Sequence, residues 1–327
     1  MKVLGIEGTA HTFGVGVIDS DIGVLSNTSD MFRPPNGGLH PREAANHHAE
    51  VAASVISKSI QESGVGLGEL DLIAFSMGPG LGPCLRIAAT AARSLSTALD
   101  LPIMGVNHCI AHIEIGNSTT GCTDPVLLYA SGGNTQVISY SNERYRIMGE
   151  TQDVGIGNML DKLGRELDLG FYAGPTIERL ARNGGRLLDL PYSVKGMDVS
   201  FSGMMTAALQ LRKKGHSIED IAFSVQETAF AMLTEVSERA MAHMGKDEVL
   251  LGGGVAQNAR LQEMVRSMAE ERGGRMFVPE RRLCADNGAM IAWLGHLMYG
   301  SGTRMGIEET EVRQRFRTDE VQVTWRV

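Results

Sequence analysis

His108 and His112 stand four residues apart in VNHCIAHIE, residues 106–114. On a helix that spacing sends both imidazoles out from one face, one turn apart. Such a pair suits two ligands of a single metal ion. For an isolated HxxxH the plainer reading is one packed and one solvated histidine, and it wins unless the surroundings argue otherwise. Here three glycine-rich turns do so: EGTAH (7–11), SGGNT (131–135) and GGGVAQN (252–258). Each exposes backbone N–H groups and lets an anion approach closely. Any one alone is weak, because glycine turns occur everywhere. The third follows a strand and opens a helix, a nucleotide-binding context. None of them matches GxGxxG or a P-loop.

Two histidines need oxygen partners to complete a metal site. Asp286 is a candidate at the entrance of a helix, where its plainer role is an N-cap. Tyr129, just before the SGG turn, is a second candidate as a phenolate. Two imidazoles with oxygen ligands and open positions suit Fe(II) or Zn better than Ca or Mg. HCIAH is not HExxH, because Cys109 occupies the place of the metalloprotease glutamate. Peptidase chemistry is therefore poorly supported. Glu7 and His11, in the first turn, are candidates for proton handling or phosphate contact. The plainer reading of both is a polar turn at a strand end.

The elements that must carry these residues can be read from the hydrophobic pattern. Residues 2–19 read as two strands around the first turn, with a third strand near Gly23 to Ser29. FRPPNGGLHP (32–41) is a Pro/Gly loop, followed by a helix from Pro41 to Ser63. LDLIAFSMG is a buried strand, residues 85–99 a helix, and LPIMGVNH a strand that delivers the histidine pair. VLLYASGGNTQVISY (126–140) repeats the opening theme of strand, small polar turn and strand, which points to a duplicated domain. Helices are expected at 158–169, 174–183, 204–214 and 218–244, with an irregular stretch at 186–203. A strand at 248–252 leads through the triple-glycine turn into a helix, and RMFVPE is a last core strand. Asp286 then sits at a loop-to-helix junction, and VQVTWRV closes the chain in a strand-like pattern.

A length of 327 residues suggests two domains. The expected boundaries are 1–123 for a first lobe and 124–299 for a second, with the tail at about 300–327 packing back on the first. The hydrophobic fraction is 43% and mean hydropathy is near zero, as in a globular protein with a sizeable core. Most of the eighteen methionines fall in helix-like runs and read as core filler. Net charge is −8, which argues against autonomous nucleic-acid binding. Small basic clusters at Arg212–Lys214 and Arg281–Arg282 read as solvated helix ends or loops. Four scattered cysteines, with no CxxC, fit a reduced, cytoplasmic compartment. The N-terminus shows no signal-peptide pattern, and no apolar run approaches the ~20 residues that span a bilayer.

Two hairpins that grip phosphates from two lobes, with a strand–GGG–helix for the nucleoside, resemble the duplicated α/β fold of the actin-like ATPase and sugar-kinase superfamily, with a central nucleotide cleft between the lobes. MKVLGIEGTAHT, NHCIAHIE, LLYASGGNT, KGMDVSFSG, LGGGVAQN and CADNGAM together, in order from residue 1 to about 300, resemble the archaeal and eukaryotic catalytic subunit of the KEOPS complex. That family is related to the bacterial tRNA threonylcarbamoyltransferase and carries an older peptidase label. The resemblance implies transfer of a threonylcarbamoyl group from threonylcarbamoyl-adenylate to N6 of the adenosine beside the anticodon of tRNAs reading ANN codons, with release of AMP.

By the same resemblance His108, His112, Tyr129 and Asp286 are metal ligands. Tyr129, Ala130, Ser131, Gly132, Gly133, Asp161, Gly174, Glu178 and Asn258 are positions that bind the nucleotide or the acyl intermediate. The plainer readings are solvated helix charges for Asp161 and Glu178, a helix-start turn for Gly174, an N-cap for Asn258 and a hairpin turn for 131–133. The implied cofactors are one divalent metal per subunit, iron ahead of zinc or magnesium, and an adenine nucleotide (threonylcarbamoyl-adenylate, AMP or ATP). The implied partners are tRNA, a small atypical protein kinase that is fused at the C-terminus in some archaeal members, a small dimerising subunit and a further small subunit. The helices at about 43–63 and 84–99 are amphipathic enough to offer a docking face. An ATP-dependent phosphotransferase or ATPase of the same fold is the alternative; the glycine turns allow it and the paired histidines argue against it. A nucleic-acid-binding or lyase protein without transferase activity is opposed by the acidic charge balance.

Overall fold

The computed structural model describes residues 1–34, 38–170 and 172–326. Part of the expected Pro/Gly loop, at 35–37, lies outside the described residues. The first half opens with β1 (Lys2–Glu7), β2 (Thr12–Asp19) and β3 (Gly23–Met31), then α1 (Pro41–Ser63), β4 (Leu72–Gly78), α2 (Gly82–Leu99), β5 (Ile103–Asn107) and α3 (His108–Thr120). These strands form a sheet in the order β3-β2-β1-β4-β5. β1 pairs antiparallel with β2, Glu7 opposite Gly14, and parallel with β4, Ile6 opposite Phe75. Both faces of β1, β2 and β4 are almost wholly buried, which is why β1 and β4 read as apolar runs; in β2 the alternation is of glycine with larger apolar residues. α1 has Pro41 in its first turn and ends on Gly64 at φ 68°, a left-handed stop that glycine adopts without cost.

The second half begins with β6 (Val126–Ala130), β7 (Thr135–Ser141) and β8 (Arg144–Glu150), followed by α4 (Ile156–Glu166) and α5 (Gly174–Ala181). A two-residue ribbon, β9 (Val194–Lys195) and β10 (Asp198–Val199), interrupts the stretch expected to be irregular. Then come α6 (Ser202–Lys213), α7 (Ile218–Met244), β11 (Glu248–Gly252), α8 (Ala259–Glu271), β12 (Arg275–Phe277), α9 (Arg281–Cys284) and α10 (Gly288–Gly300). The second sheet runs β12-β11-β6-β7-β8. It repeats the plan of the first: a three-stranded antiparallel ribbon whose first strand is extended by two parallel strands. The duplication inferred from the two hairpins is thus carried through all five strands of each sheet.

β8 was not anticipated. Arg144 and Arg146 stand exposed on the solvent face and alternate with buried Tyr145 and half-buried Ile147, but this alternation lasts only four residues. The strand-like pattern at 321–327 is not a strand over 321–326. Its single ladder-like bond, from Val323 N–H to the Glu143 carbonyl, spans 3.3 Å. The segment is held by side chains instead: Trp325 Nε1 donates to Glu114 at 2.7 Å, and the Arg326 guanidinium lies over the Tyr140 ring, 4.9 Å from its centroid.

α10 falls within the range 124–299 expected for the second lobe, yet it packs across β1, β2 and β4 of the first sheet and against α3. Glycines on both sides allow this. A Cβ on Gly5 would stand 2.3 Å from the Ala292 nitrogen, and one on Gly16 2.3 Å from the Ala289 nitrogen. Beyond α10 the chain touches both halves. Arg313 N–H donates to the Met77 carbonyl and Asn107 Nδ2 to the Phe316 carbonyl, while Arg144 reaches the Asp319 carbonyl on the other side. The tail therefore bridges the two sheets rather than lying on the first alone.

Candidate metal centre and nucleotide cleft

β5 ends in Asn107, and Asn107 is the N-cap of α3: its side chain accepts from the N–H groups of Cys109 and Ile110. Such a cap contributes about 1 kcal/mol and fixes where the helix starts. The strand expected over LPIMGVNH thus stops at Asn107, His108 is the first helical residue and His112 lies one turn on, so the condition for the two imidazoles to share a face is met. Residues 108–116 of α3 are all buried. Asp286 comes from the junction before α10. The expected alternative, Asp286 as N-cap, does not hold. Asn287 is the cap, accepting from the Met290 N–H, and its Nδ2 donates to the carbonyls of Leu283 and Ala285. That leaves the Asp286 carboxylate free to turn toward the histidines.

The three groups converge. Asp286 Oδ1 lies 3.4 Å from His108 Nε2 and 3.3 Å from His112 Nε2. All three donor atoms lie within 4.8 Å of one another. A tetrahedral ion with bonds of ~2.1 Å has ligand–ligand edges of ~3.4 Å, so the donor set and its spacing fit a small divalent metal. Tyr129, at the end of β6, brings its hydroxyl to 2.9 Å from His108 Nε2. Its ring centroid is 4.8 Å from that of His112.

Electrostatics divide the labour. Burial alone would raise the Asp286 carboxyl, but the two imidazoles pull it well below the usual carboxylate range, so it is an anion. Burial lowers His112, which leaves it a neutral imidazole with a lone pair to offer. Burial opposes a charge on His108 too, but the Glu7 and Asp286 carboxylates outweigh it and raise its pKa well above the ordinary value. A proton is therefore favoured on His108, and any metal ion binding there would have to displace it. Burial also raises the Tyr129 phenol and the Cys109 thiol, so neither is ionised at neutral pH without a nearby cation.

Glu7 is fully buried. One of its oxygens accepts from the N–H and hydroxyl of Thr9 at 2.7 and 2.5 Å. The other faces His108 Nδ1 at 2.9 Å. Both oxygens are occupied behind the site. His11, half-buried at the same turn, lies with Nε2 2.6 Å from the Tyr172 hydroxyl. That contact joins the first hairpin to the loop between α4 and α5. Tyr172 holds φ +65° there, a costly conformation for an aromatic residue.

The glycine turns of the second half pack on one another. The Ser131 and Gly132 carbonyls accept from the N–H groups of Gly157 and Asn158 in the first turn of α4. A Cβ on Gly155 would stand 2.5 Å from the Gly132 oxygen, so the turn and the helix start meet backbone to backbone. Gly253, at φ +91°, leaves no room for a Cβ beside the Ala130 carbonyl, and its N–H donates to the Cys284 carbonyl. The second and third glycine turns therefore adjoin each other and the segment that carries Asp286. All of this sits at the carboxyl ends of β1, β6 and β11, where open α/β sheets bind ligands.

The remaining sequence candidates form a second group. Asp161 on α4 accepts from the Ala173 N–H at 2.8 Å, and burial raises its pKa. A Cβ on Gly174 would meet open space, not a close backbone. Glu178 on α5 accepts from the Ala259 N–H at 3.3 Å and from Arg182 at 3.0 Å. Asn258 is the N-cap of α8, as its plainer reading had it, and its Nδ2 donates to Gln226. Sequence reasoning missed Thr9, Tyr172 and the capping asparagines Asn107 and Asn287. The caps had a signal, an Asn immediately before a helix; Thr9 and Tyr172 act through contacts that no local pattern encodes.

The family described as TsaD, tRNA N6-adenosine threonylcarbamoyltransferase, matches residues 23–293. The chain is 57% identical over 325 residues to a probable bifunctional tRNA threonylcarbamoyladenosine biosynthesis protein of Thermoplasma acidophilum, covering 99% of this chain and 61% of that protein. It is 56% identical over 326 residues to a tRNA N6-adenosine threonylcarbamoyltransferase of Thermococcus kodakarensis, covering 99% and 100% respectively. The chain thus spans about three fifths of the bifunctional relatives and the full length of the Thermococcus one. Among solved structures it is similar to HypF of T. kodakarensis, with a TM-score of 0.65 and 16% identity, over 91% of this chain and 48% of that one. It is also similar to the activator of 2-hydroxyisocaproyl-CoA dehydratase from Clostridium difficile with bound ADPNP, with a TM-score of 0.56 and 11% identity, over 94% and 100%.

Proposed function

The chain belongs to the tRNA N6-adenosine threonylcarbamoyltransferase family and has the duplicated α/β fold of actin-like ATPases and sugar kinases. From that premise we propose that it transfers threonylcarbamoyl from threonylcarbamoyl-adenylate to N6 of the adenosine beside the anticodon of tRNAs reading ANN codons. The observation that carries this reading is the convergence of His108, His112 and Asp286 beside the adjoining glycine turns. The amine nitrogen forms a bond to the carbamoyl carbon, the bond from that carbon to the AMP phosphate oxygen breaks, and the amine loses a proton. The donor is already activated, so positioning and charge stabilisation carry most of the rate.

His108, His112 and Asp286 would hold one divalent metal, iron ahead of zinc or magnesium, with Tyr129 as a fourth ligand. When bound it would supply Lewis acidity and a template for the threonylcarbamoyl oxygens. The turn at Tyr129–Gly133 is taken to cradle phosphate or carboxylate. Asp161, Gly174, Glu178 and Asn258 are taken to bound the nucleoside, Asp161 and Glu178 for ribose hydroxyls. The ADPNP bound to the dehydratase activator of the same fold supports a nucleotide in this cleft. His11 is assigned as acceptor of the amine proton in preference to Glu7, because Glu7 is buried with both oxygens engaged, whereas His11 is half-buried at the turn and meets the Tyr172 hydroxyl through Nε2. We take the first lobe as residues 1–123 with the chain from Gly288 onward, and the second as 124–287, since α10 packs on the first sheet.

The proposed partners are tRNA and the KEOPS subunits: the small atypical kinase, the small dimerising subunit and the further small one. The word bifunctional in the Thermoplasma relative's name supports a second function in the part of that protein which this chain does not match. Among the described residues no helix is long and apolar enough to cross a membrane, and we place the protein in the cytoplasm. The test is incubation with threonine, bicarbonate, ATP, the intermediate-forming enzyme, partners and tRNA, followed by nucleoside analysis. Threonylcarbamoylated adenosine that requires this chain supports the reading; tRNA left unmodified in that mixture, together with ATP hydrolysed or its phosphate moved to another acceptor by this chain alone, favours the phosphotransferase alternative.

A further inference from the structure

We propose that Glu7 is a positioning residue that fixes the tautomer of His108, that Thr9 holds Glu7 for this task, and that together they set the metal affinity of the triad. The proposal rests on the metal reading above. Glu7 is a carboxylate with no solvent exposure, a costly placement unless every oxygen is used. The structure uses both. Oε1 takes the Thr9 N–H and hydroxyl, and Oε2 faces His108 Nδ1 at 2.9 Å. A carboxylate only accepts hydrogen bonds, so the proton of that contact belongs to Nδ1. In the neutral ring this leaves the Nε2 lone pair directed at the triad, with Asp286 Oδ1 at 3.4 Å and the Tyr129 hydroxyl at 2.9 Å. An imidazole whose far nitrogen is held by a carboxylate is the usual outer arrangement of a metal-ligating histidine.

The support for Glu7 is itself rigid. β1 presents it from its last position, paired with Gly14 of β2. The turn after it is tied down on both sides, by the Gly8 N–H to Ser76 Oγ at 3.0 Å and by the Leu81 N–H to the Thr9 carbonyl at 2.7 Å. Thr9 is buried and cannot turn its hydroxyl to water. Two features of the first hairpin thereby acquire a task that glycine-turn chemistry does not explain: the acid at position 7 and the hydroxyl at position 9.

Glu7→Gln changes no volume but has no satisfactory arrangement. With the amide nitrogen toward His108, the donor forces the other tautomer and puts a proton on Nε2. With the amide nitrogen toward Thr9, it faces the Thr9 N–H donor. The experiment titrates Zn(II) and Co(II) into chelator-stripped full-length protein by competition with a chromophoric chelator, and records the Co(II) visible absorption as a report of ligand geometry. The variants are Glu7→Gln, Thr9→Val and the double change His108→Ala with His112→Ala, each checked for folding by circular dichroism without metal. We expect Glu7→Gln to bind roughly 10–100-fold more weakly, Thr9→Val a few-fold more weakly with an altered Co(II) spectrum, and the double variant not measurably. Wild-type affinity and spectrum in Glu7→Gln overturn the proposal. Should that variant fail to fold, an unchanged affinity in Thr9→Val overturns it. Undiminished binding in the double histidine variant sinks the metal reading itself, an outcome distinct from the other two.

Discussion

Replacing Gly16 with alanine should disturb the metal site from a distance, through α10. Gly16 lies in β2 under the start of that helix. An added Cβ would stand 2.3 Å from the Ala289 nitrogen, 2.7 Å from its Cα and 2.8 Å from the Gly288 carbonyl carbon. All three are backbone atoms, so no rotamer change relieves the clash. Ordinary contact begins at 3.4 Å, and the helix start must retreat by the difference, about 1.1 Å. Asp286 precedes Gly288 by two residues, and its oxygen sits only 3.3–3.4 Å from the two histidine nitrogens. A retreat of that size is about a third of the donor spacing. We expect a loss of about 1–3 kcal/mol in denaturant unfolding and a metal affinity lower by roughly 10–100-fold. The control is Gly300→Ala at the other end of α10, where a Cβ meets nothing within 4 Å; it should change stability by less than about 0.5 kcal/mol. Stability lost with metal affinity intact would refute the claim that α10 positions Asp286. Unchanged stability would refute the packing argument beneath it.

Other substitutions test the supports separately. Asn287→Ala removes the α10 cap and both bonds that fold the 283–287 turn; it should cost about 2 kcal/mol and weaken metal binding in the same preparation. Trp325→Phe deletes the indole donor to the buried Glu114 and should cost about 1.5–3 kcal/mol in equilibrium unfolding; a neutral result would mean that the tail is not anchored there. His48 is buried and pulled down to about 4, by burial first and by His47 second. Its folded value lies below the unfolded one of ~6.5, so the unfolded chain binds the extra proton and stability falls as pH drops from about 6.5 toward 4. Between pH 7.5 and 5 this amounts to about 2 kcal/mol. His48→Leu should flatten that part of the pH–stability curve, and an equal slope in both proteins would count against the burial argument.

The legible parts of the molecule were those with a local signature. Both hairpins, the long helices and the strand–GGG–helix unit follow from alternation, helical spacing, proline and glycine. The spacing of His108 and His112 carried one legible consequence, that on a helix the two rings share a face, and on α3 their centroids lie 4.9 Å apart. β8 was not legible, because its alternation of Arg144 and Arg146 with Tyr145 and Ile147 spans only four residues. The 321–326 segment misled for the opposite reason: alternating apolar residues there insert Val321 and Val323 into the core without pairing as a strand. At the site, Asp286 was ambiguous from residue type. Its plainer role as N-cap falls to its neighbour Asn287. Glu7 was read as a group that could meet substrate, whereas the structure turns it toward His108, 101 positions away in the chain. The meeting of His11 with Tyr172 spans 161 positions. Such pairings depend on how two sheets and α10 come together, and no window of sequence contains them.

The most direct test of a metal-centred cleft is anomalous scattering from crystals of the protein grown with an adenine nucleotide, recorded on both sides of the iron and zinc edges. The account predicts one peak within about 2.0–2.2 Å of His108 Nε2, His112 Nε2 and an Asp286 oxygen, with nucleotide phosphate at the Ser131–Gly133 turn. A nucleotide bound in the cleft with no peak among these three side chains, or with the metal held elsewhere, would contradict it.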